Sequence, residues 1–139
     1  MIVLDTNVLS ELMRSAPDVS VTNWVATQSA ANLFVTTITQ AEILHGVLLL
    51  PRGRRRDAIE AAADAMFEED FAGRILSFSS LAAHAYAEIA VARRQSGRPI
   101  SQFDAQIAAI AKSAGADVAT RNVPDFEGCG IKVIDPWQS

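Results

Sequence analysis

The sequence predicts an α/β domain with a central, mostly parallel β-sheet covered by helices. Three observations carry that prediction. Short apolar runs alternate with stretches of helical periodicity along the whole chain. No two strand-like runs are joined by a tight Asn-Gly or Asp-Gly turn. Strands that do not pair through hairpins need crossover connections, which are usually helical. The first run, Ile2-Val3-Leu4, is apolar without alternation, as in a strand buried on both faces. The length of 139 residues suits one domain, residues 1–139.

The elements follow in order. After the Ile2–Leu4 strand, a short helix spans Asn7 to Met13, with Val8, Leu9 and Leu12 on one face. Pro17-Asp18 restarts the chain, and Val21, Trp24 and Val25 mark a second helix by their i, i+3, i+4 spacing. Leu33-Phe34-Val35-Thr36 is a second strand. Thr39 then opens a third helix with Ala41, Leu44, Val47 and Leu48 inward, stopped by Pro51 and Gly53. A fourth helix runs from Arg54 to Phe71, with Ile59, Ala63, Met66 and Phe67 as its buried stripe. Ile75 to Phe78 is a third strand. Ser79 or Ser80 caps a fifth helix that ends near Gln95, with Leu81, Ala85, Ile89 and Ala92 inward. Ser101 caps a sixth, which Gly115 closes. Asp117 to Thr120 and Ile131 to Ile134 are the last two strands.

Composition narrows the function. One cysteine, Cys129, excludes a disulfide framework and a Cys-rich zinc site, and fits a cytoplasmic protein. Asp5 interrupts the first apolar run before a signal-peptide core forms, and the run near Val47 to Leu50 is too short to span a membrane. A net charge of −4 argues against binding nucleic acid by global attraction. Basic residues are clustered, however: four arginines lie between Arg52 and Arg56, with Arg93, Arg94 and Arg98 further on. Arginine forks suit phosphate, and these are candidates for phosphate contacts.

The chemistry centres on Asp5. In a parallel sheet the ligand crevice lies beyond the carboxyl ends of the strands, and Asp5 directly follows the first strand. Glu42 stands three residues after Thr39, and Asp104 three after Ser101. Both match the capping-box pattern, in which an acid reaches back to the cap's amide. A helix that follows a strand begins at the strand's carboxyl edge, so Glu42 falls on Asp5's side. Asp104 joins them if its helix starts at the same edge. Three carboxylates about 4 Å apart repel at roughly 4 kcal/mol per pair at an effective dielectric near 20. Such a set must protonate or hold a cation. Oxygen ligands with no cysteine and little histidine favour Mg²⁺ or Mn²⁺, which describes a metal-dependent phosphodiesterase. Thr6, Asn7 and Thr120 lie at strand ends, where they can orient water.

The sequence resembles the PIN-domain ribonucleases, and more closely the VapC- and FitB-type toxins of bacterial toxin–antitoxin pairs. The matching stretches are Leu4-Asp5-Thr6-Asn7-Val8, Ala41-Glu42-Ile43-Leu44-His45-Gly46, Phe103-Asp104-Ala105-Gln106-Ile107-Ala108 and Ala119-Thr120-Arg121-Asn122-Val123-Pro124-Asp125-Phe126, closing on Asp135-Pro136-Trp137. The resemblance implies a three-layer α/β/α sandwich and an endoribonuclease dependent on Mg²⁺ or Mn²⁺. It carries the metal-binding acids over to Asp5, Glu42 and Asp104. It also implies a homodimer, neutralised by a small antitoxin that covers the acidic pocket and binds operator DNA. A fourth acid is usual after the late strand; here Asn122 stands in its place, with Asp125 three residues on.

Rival readings are weaker. Glu42-Ile43-Leu44-His45 is a Glu-x-x-His motif, but a di-iron carboxylate site needs two of them, and Leu81 stands three residues before His84. A phosphatase with an Asp nucleophile wants a second acid where Asn7 stands. His84 and Glu88 are read as a surface pair. A non-catalytic RNA- or partner-binding module would have no use for three mutually repelling acids. An enzyme acting on DNA is set aside only by the resemblance.

Overall fold

The computed structural model describes residues 1–138. Five strands form one sheet: β1 (Ile2–Leu4), β2 (Leu33–Thr36), β3 (Ile75–Leu76), β4 (Asp117–Ala119) and β5 (Val133–Ile134). Their order is β3-β2-β1-β4-β5, and every pairing is parallel. The sheet is thus wholly parallel rather than mostly so. Val3 lies opposite Phe34 on one side and Val118 on the other.

The pleat explains why the first run is unbroken. Ile2 and Leu4 belong to one hydrophobic cluster and Val3 to another, because successive side chains point to opposite faces. The first cluster is covered by α1 (Thr6–Leu12), α2 (Val19–Ala26), α3 (Thr37–Leu48) and α4 (Arg54–Ala65). The second is covered by α5 (Ser80–Gln95), α6 (Gln102–Ala114) and α7 (Val123–Phe126). The result is a three-layer α/β/α sandwich. Burying each large aliphatic side chain of this kind contributes roughly 1.5–3 kcal/mol.

Connectivity places the crevice. From β1 the chain winds outward to β2 and β3, then returns across the other face to β4 and β5. The strand order reverses between β1 and β4, which is where a parallel sheet leaves an open crevice at its carboxyl edge. Gly115 ends α6 in the left-handed region (φ 69°) and leads straight into β4. The chain therefore runs down α6 and back up β4, which sets the start of α6 at the crevice.

Several local expectations change. The cap of α3 is Thr36, whose hydroxyl accepts from the Thr39 amide at 3.1 Å. Thr39 is the third helical residue and fully buried, so Glu42 lies in the second turn and outside any capping box. The buried stripe of α3 is Thr39, Ile43 and Val47, leaving Ala41 exposed and Leu44 only half-buried. The stripe of α5 falls at Ala82, Ala85, Ile89 and Arg93, while Leu81 and Ala92 are exposed. The fourth helix turns into a wider π-type turn over Met66–Asp70. Trp24 is buried and packs within the first cluster, whereas Leu48 and Leu49 are exposed. His84 and Glu88 form no ion pair among the described residues. No helix among the described residues is long and apolar enough to cross a membrane.

Candidate active site

Asp5 leaves β1 at the reversal point and becomes the cap of α1. Its Oδ1 accepts from the Thr6 amide at 2.8 Å. Its Oδ2 accepts from the Thr120 hydroxyl at 2.8 Å and from the Asn7 side-chain amide at 3.1 Å. Thr120 directly follows β4 and is fully buried. Its hydroxyl oxygen also accepts from the Asn122 amide at 3.1 Å. Asn7 Oδ1 accepts from the Arg121 amide at 3.2 Å. The ends of β1 and β4 are thus stitched together through Asp5.

Glu42 is fixed from the same short segment. The Thr6 hydroxyl donates to Glu42 Oε1 at 2.8 Å. Thr6 has then used its only proton, so the 3.0 Å contact between the Thr6 and Thr39 hydroxyls has Thr39 as donor. This relay from buried Thr39 through Thr6 to Glu42 explains why hydroxyl residues stand there. Asp104 sits in the first turn of α6, where its amide donates to Ser101 Oγ at 3.2 Å.

Asp5, Glu42, Asp104 and Asn122 line one cavity of about 270 Å³ together with Thr6 and Asn7. All four residues singled out from the sequence come together. Asp125 does not line this cavity; it shares a smaller neighbouring one with Asp104 and Arg93.

The electrostatics are unfavourable for so many acids. Asp5 is only 4% exposed. Burial drives its pKa up from 3.8 to about 6, against the hydrogen bonds from Thr120 and Thr6, and the charges of Asp104 and Glu42 push it further. Asp104 is also raised, first by burial and then by the charge of Asp125, against the Ser101 hydrogen bond and the charge of Arg93.

Sequence reasoning misplaced one of the arginines. Arg93 is 6% exposed. Its Nε donates to the Arg98 carbonyl at 2.6 Å, and its Nη1 to the carbonyls of Asp125 and Glu127 at 3.1 and 2.6 Å. It clamps the α5–α6 turn to α7 and is closed to RNA. Arg98 pairs with Glu127 at 2.9 Å. Arg52 to Arg56 do remain mostly exposed. The signal for Arg93 was present in the sequence: it stands four residues after Ile89, on the true inward stripe.

A doubly wound parallel sheet with a carboxylate-lined crevice at its reversal point defines an acid-site α/β domain. Residues 2–125 match the model of the PIN domain, and the chain belongs to the PIN-domain family. It is 41% identical over 139 residues to the plasmid stability protein StbB of Pseudomonas syringae pv. tomato, covering 100% of both chains. It is 38% identical over 138 residues to a VapC ribonuclease of Sinorhizobium fredii, covering 99% of each. It is 36% identical over 137 residues to the toxin FitB of Neisseria gonorrhoeae, again covering 99% of each. Among solved structures, FitAcB from Neisseria gonorrhoeae superposes with a TM-score of 0.94 at 35% identity, with 100% of both chains covered. FitAB bound to a DNA fragment gives 0.93 at 36% identity, covering 99% of this chain and 96% of that one.

Proposed function

We propose that this protein is a metal-dependent endoribonuclease and the toxin half of a type II toxin–antitoxin pair, acting in the cytoplasm. The observation that carries the reading is the convergence of Asp5, Glu42, Asp104 and Asn122 on one open cavity. Its raised acids have no cation among the lining side chains. The similarity to a VapC ribonuclease and to the toxin FitB supports RNA as substrate.

The donor set fits Mg²⁺ or Mn²⁺. It consists of carboxylate, hydroxyl and amide oxygens, the hard ligands these ions prefer. Among the described residues no three acids, histidines or cysteines are placed to hold an ion together, so the three carboxylates stand further apart than the close set expected from the sequence; Mg²⁺ needs only one or two carboxylates beside its waters. Asp5 and Asp104 would hold it, with Glu42 nearby. The ion would supply Lewis-acid stabilisation of the charge that develops on the phosphodiester. The chain's own residues do the rest. Thr120 and Asn7 hold Asp5 in one rotamer, and Thr6 holds Glu42 through Oε1, leaving Oε2 to accept a proton from the attacking water. Asn122 adds an amide that orients water without adding charge.

A second cavity, about 330 Å³ and largely apolar, opens beside the acids between α1 and α3, with Met13, Ile43, Val47 and Leu50 in its wall. Glu42 borders both cavities. This groove suits an antitoxin segment that ends over the acids. The exposed Leu48 and Leu49 are the candidate surface of a homodimer. The FitAB complex with DNA supports an operator-bound hetero-oligomer.

The test is cleavage of labelled total RNA by antitoxin-free protein with Mg²⁺, with Mn²⁺ and with excess EDTA. Cutting should be lost with EDTA and fall at least roughly a thousandfold in Asp5→Asn and in Asp104→Asn, the scale set by removing a transition-state charge interaction. Wild-type rates in either variant would refute the site.

A further inference from the structure

A third cavity, about 390 Å³, adjoins the acids on the side away from the apolar groove. It is lined by Ala41, Glu42, His45 and Phe103. Glu42 belongs to its wall and to the wall of the acidic cavity. Phe103 immediately precedes Asp104 in the first turn of α6, and it is 54% exposed. It belongs to neither hydrophobic cluster. Ala41 and His45 are exposed one turn apart on α3. The exposed side chains of Ala41, His45 and Phe103 stand together beside two acids, Ala41 next to Glu42 and Phe103 next to Asp104 in the chain.

We infer that this cavity is a nucleobase subsite, which takes the base of a nucleotide flanking the scissile phosphodiester, stacked on Phe103 with His45 at its edge. The inference rests on the endoribonuclease reading above. Bases of single-stranded RNA are free to unstack and are taken up on aromatic side chains. Stacking accepts any base, because each has a π-face, and an edge contact then gives preference. Charge points the same way. With Glu42 in the wall the cavity disfavours a phosphate, so of the parts of a nucleotide the base is the one it suits. A base offers an apolar face to Phe103 and a polar edge to the carboxylate and imidazole.

The test uses a single-stranded RNA oligonucleotide spanning a cleavage position mapped on total RNA. It is made intact, abasic just before the cut and abasic just after it. Wild type, Phe103→Ala and Phe103→Tyr are compared by kcat/KM, and their oligomeric states by light scattering. One of the two abasic sites should lower the wild-type value roughly ten- to hundredfold. Phe103→Ala should lose a similar factor on the intact oligonucleotide and nothing more on that abasic one, while Phe103→Tyr keeps the wild-type pattern. Losses that simply multiply would overturn the subsite, as would unchanged cutting by Phe103→Ala. A change confined to oligomeric state would show that a second copy fills the cavity. If the wild type itself cuts no RNA, the endoribonuclease reading fails and takes the subsite with it; failure of the subsite alone leaves wild-type cutting intact.

Discussion

Two buried charges stand at the same edge of the sheet and are treated in opposite ways. Arg93 is closed off from water, and backbone carbonyls from Arg98, Asp125 and Glu127 converge on it. Asp5 is as deeply buried and also well hydrogen-bonded, but the charges that act on it are those of two more acids. A buried charge whose partners complement it is part of the scaffold. One surrounded by like charge is a standing cost, of the kind that clusters at functional sites. Glu11 is of the first kind. It is buried, accepts from the Asp18 amide at 2.9 Å and faces Arg14.

The largest effect should come from the scaffold charge. Arg93→Met leaves carbonyls without their donor and frees the loop that carries Asn122 and Asp125. Bonds to a charged donor are strong, so the loss should be roughly 3–5 kcal/mol of unfolding free energy, read from urea titration. A loss under about 1 kcal/mol would mean that water replaces the guanidinium and would erase the contrast.

Asp5→Asn should do the reverse and stabilise the metal-free protein. A carboxyl with a folded pKa of about 6 and an ordinary value of 3.8 binds its proton more tightly when folded. It costs nothing below about pH 3.8, where both states are protonated. The cost grows through the window from 3.8 to 6 and levels off above it at about 3 kcal/mol. The variant should therefore gain up to about 3 kcal/mol at pH 7.5 and almost nothing near pH 4. Destabilisation at pH 7.5 would show that the hydrogen bonds to Asp5 outweigh its burial.

The contrast also separates what could be read from the sequence and what could not. The succession of strands and helices, the parallel sheet and the placing of Asp5, Glu42 and Asp104 at one edge were legible, and the resemblance added Asn122. They depend on apolar runs, caps and the rule that crevices form at strand carboxyl ends. The faces of α3 and α5 were misread. Thr36 and Thr39 are both plausible caps, and choosing the later one shifted the helix start by three residues. On α5 the exposed Leu81 drew the stripe one residue early and hid Arg93. Arginine in a run of arginines reads as surface, because the carbonyls that bury it come from a turn some thirty residues away. Phe103 stood in a matching motif without a role of its own, and only the fold shows it exposed.

The most direct test of the central claim is thermal unfolding of the antitoxin-free protein titrated with Mn²⁺ at pH 7.5. If the acids are kept for a cation, Mn²⁺ at tenfold over its Kd should add about 1.4 kcal/mol. That is roughly 5 °C in Tm for a domain of this size. Asp5→Asn/Asp104→Asn should start from a higher Tm and not respond. A wild type that does not shift, or a double variant that shifts equally, would contradict the account.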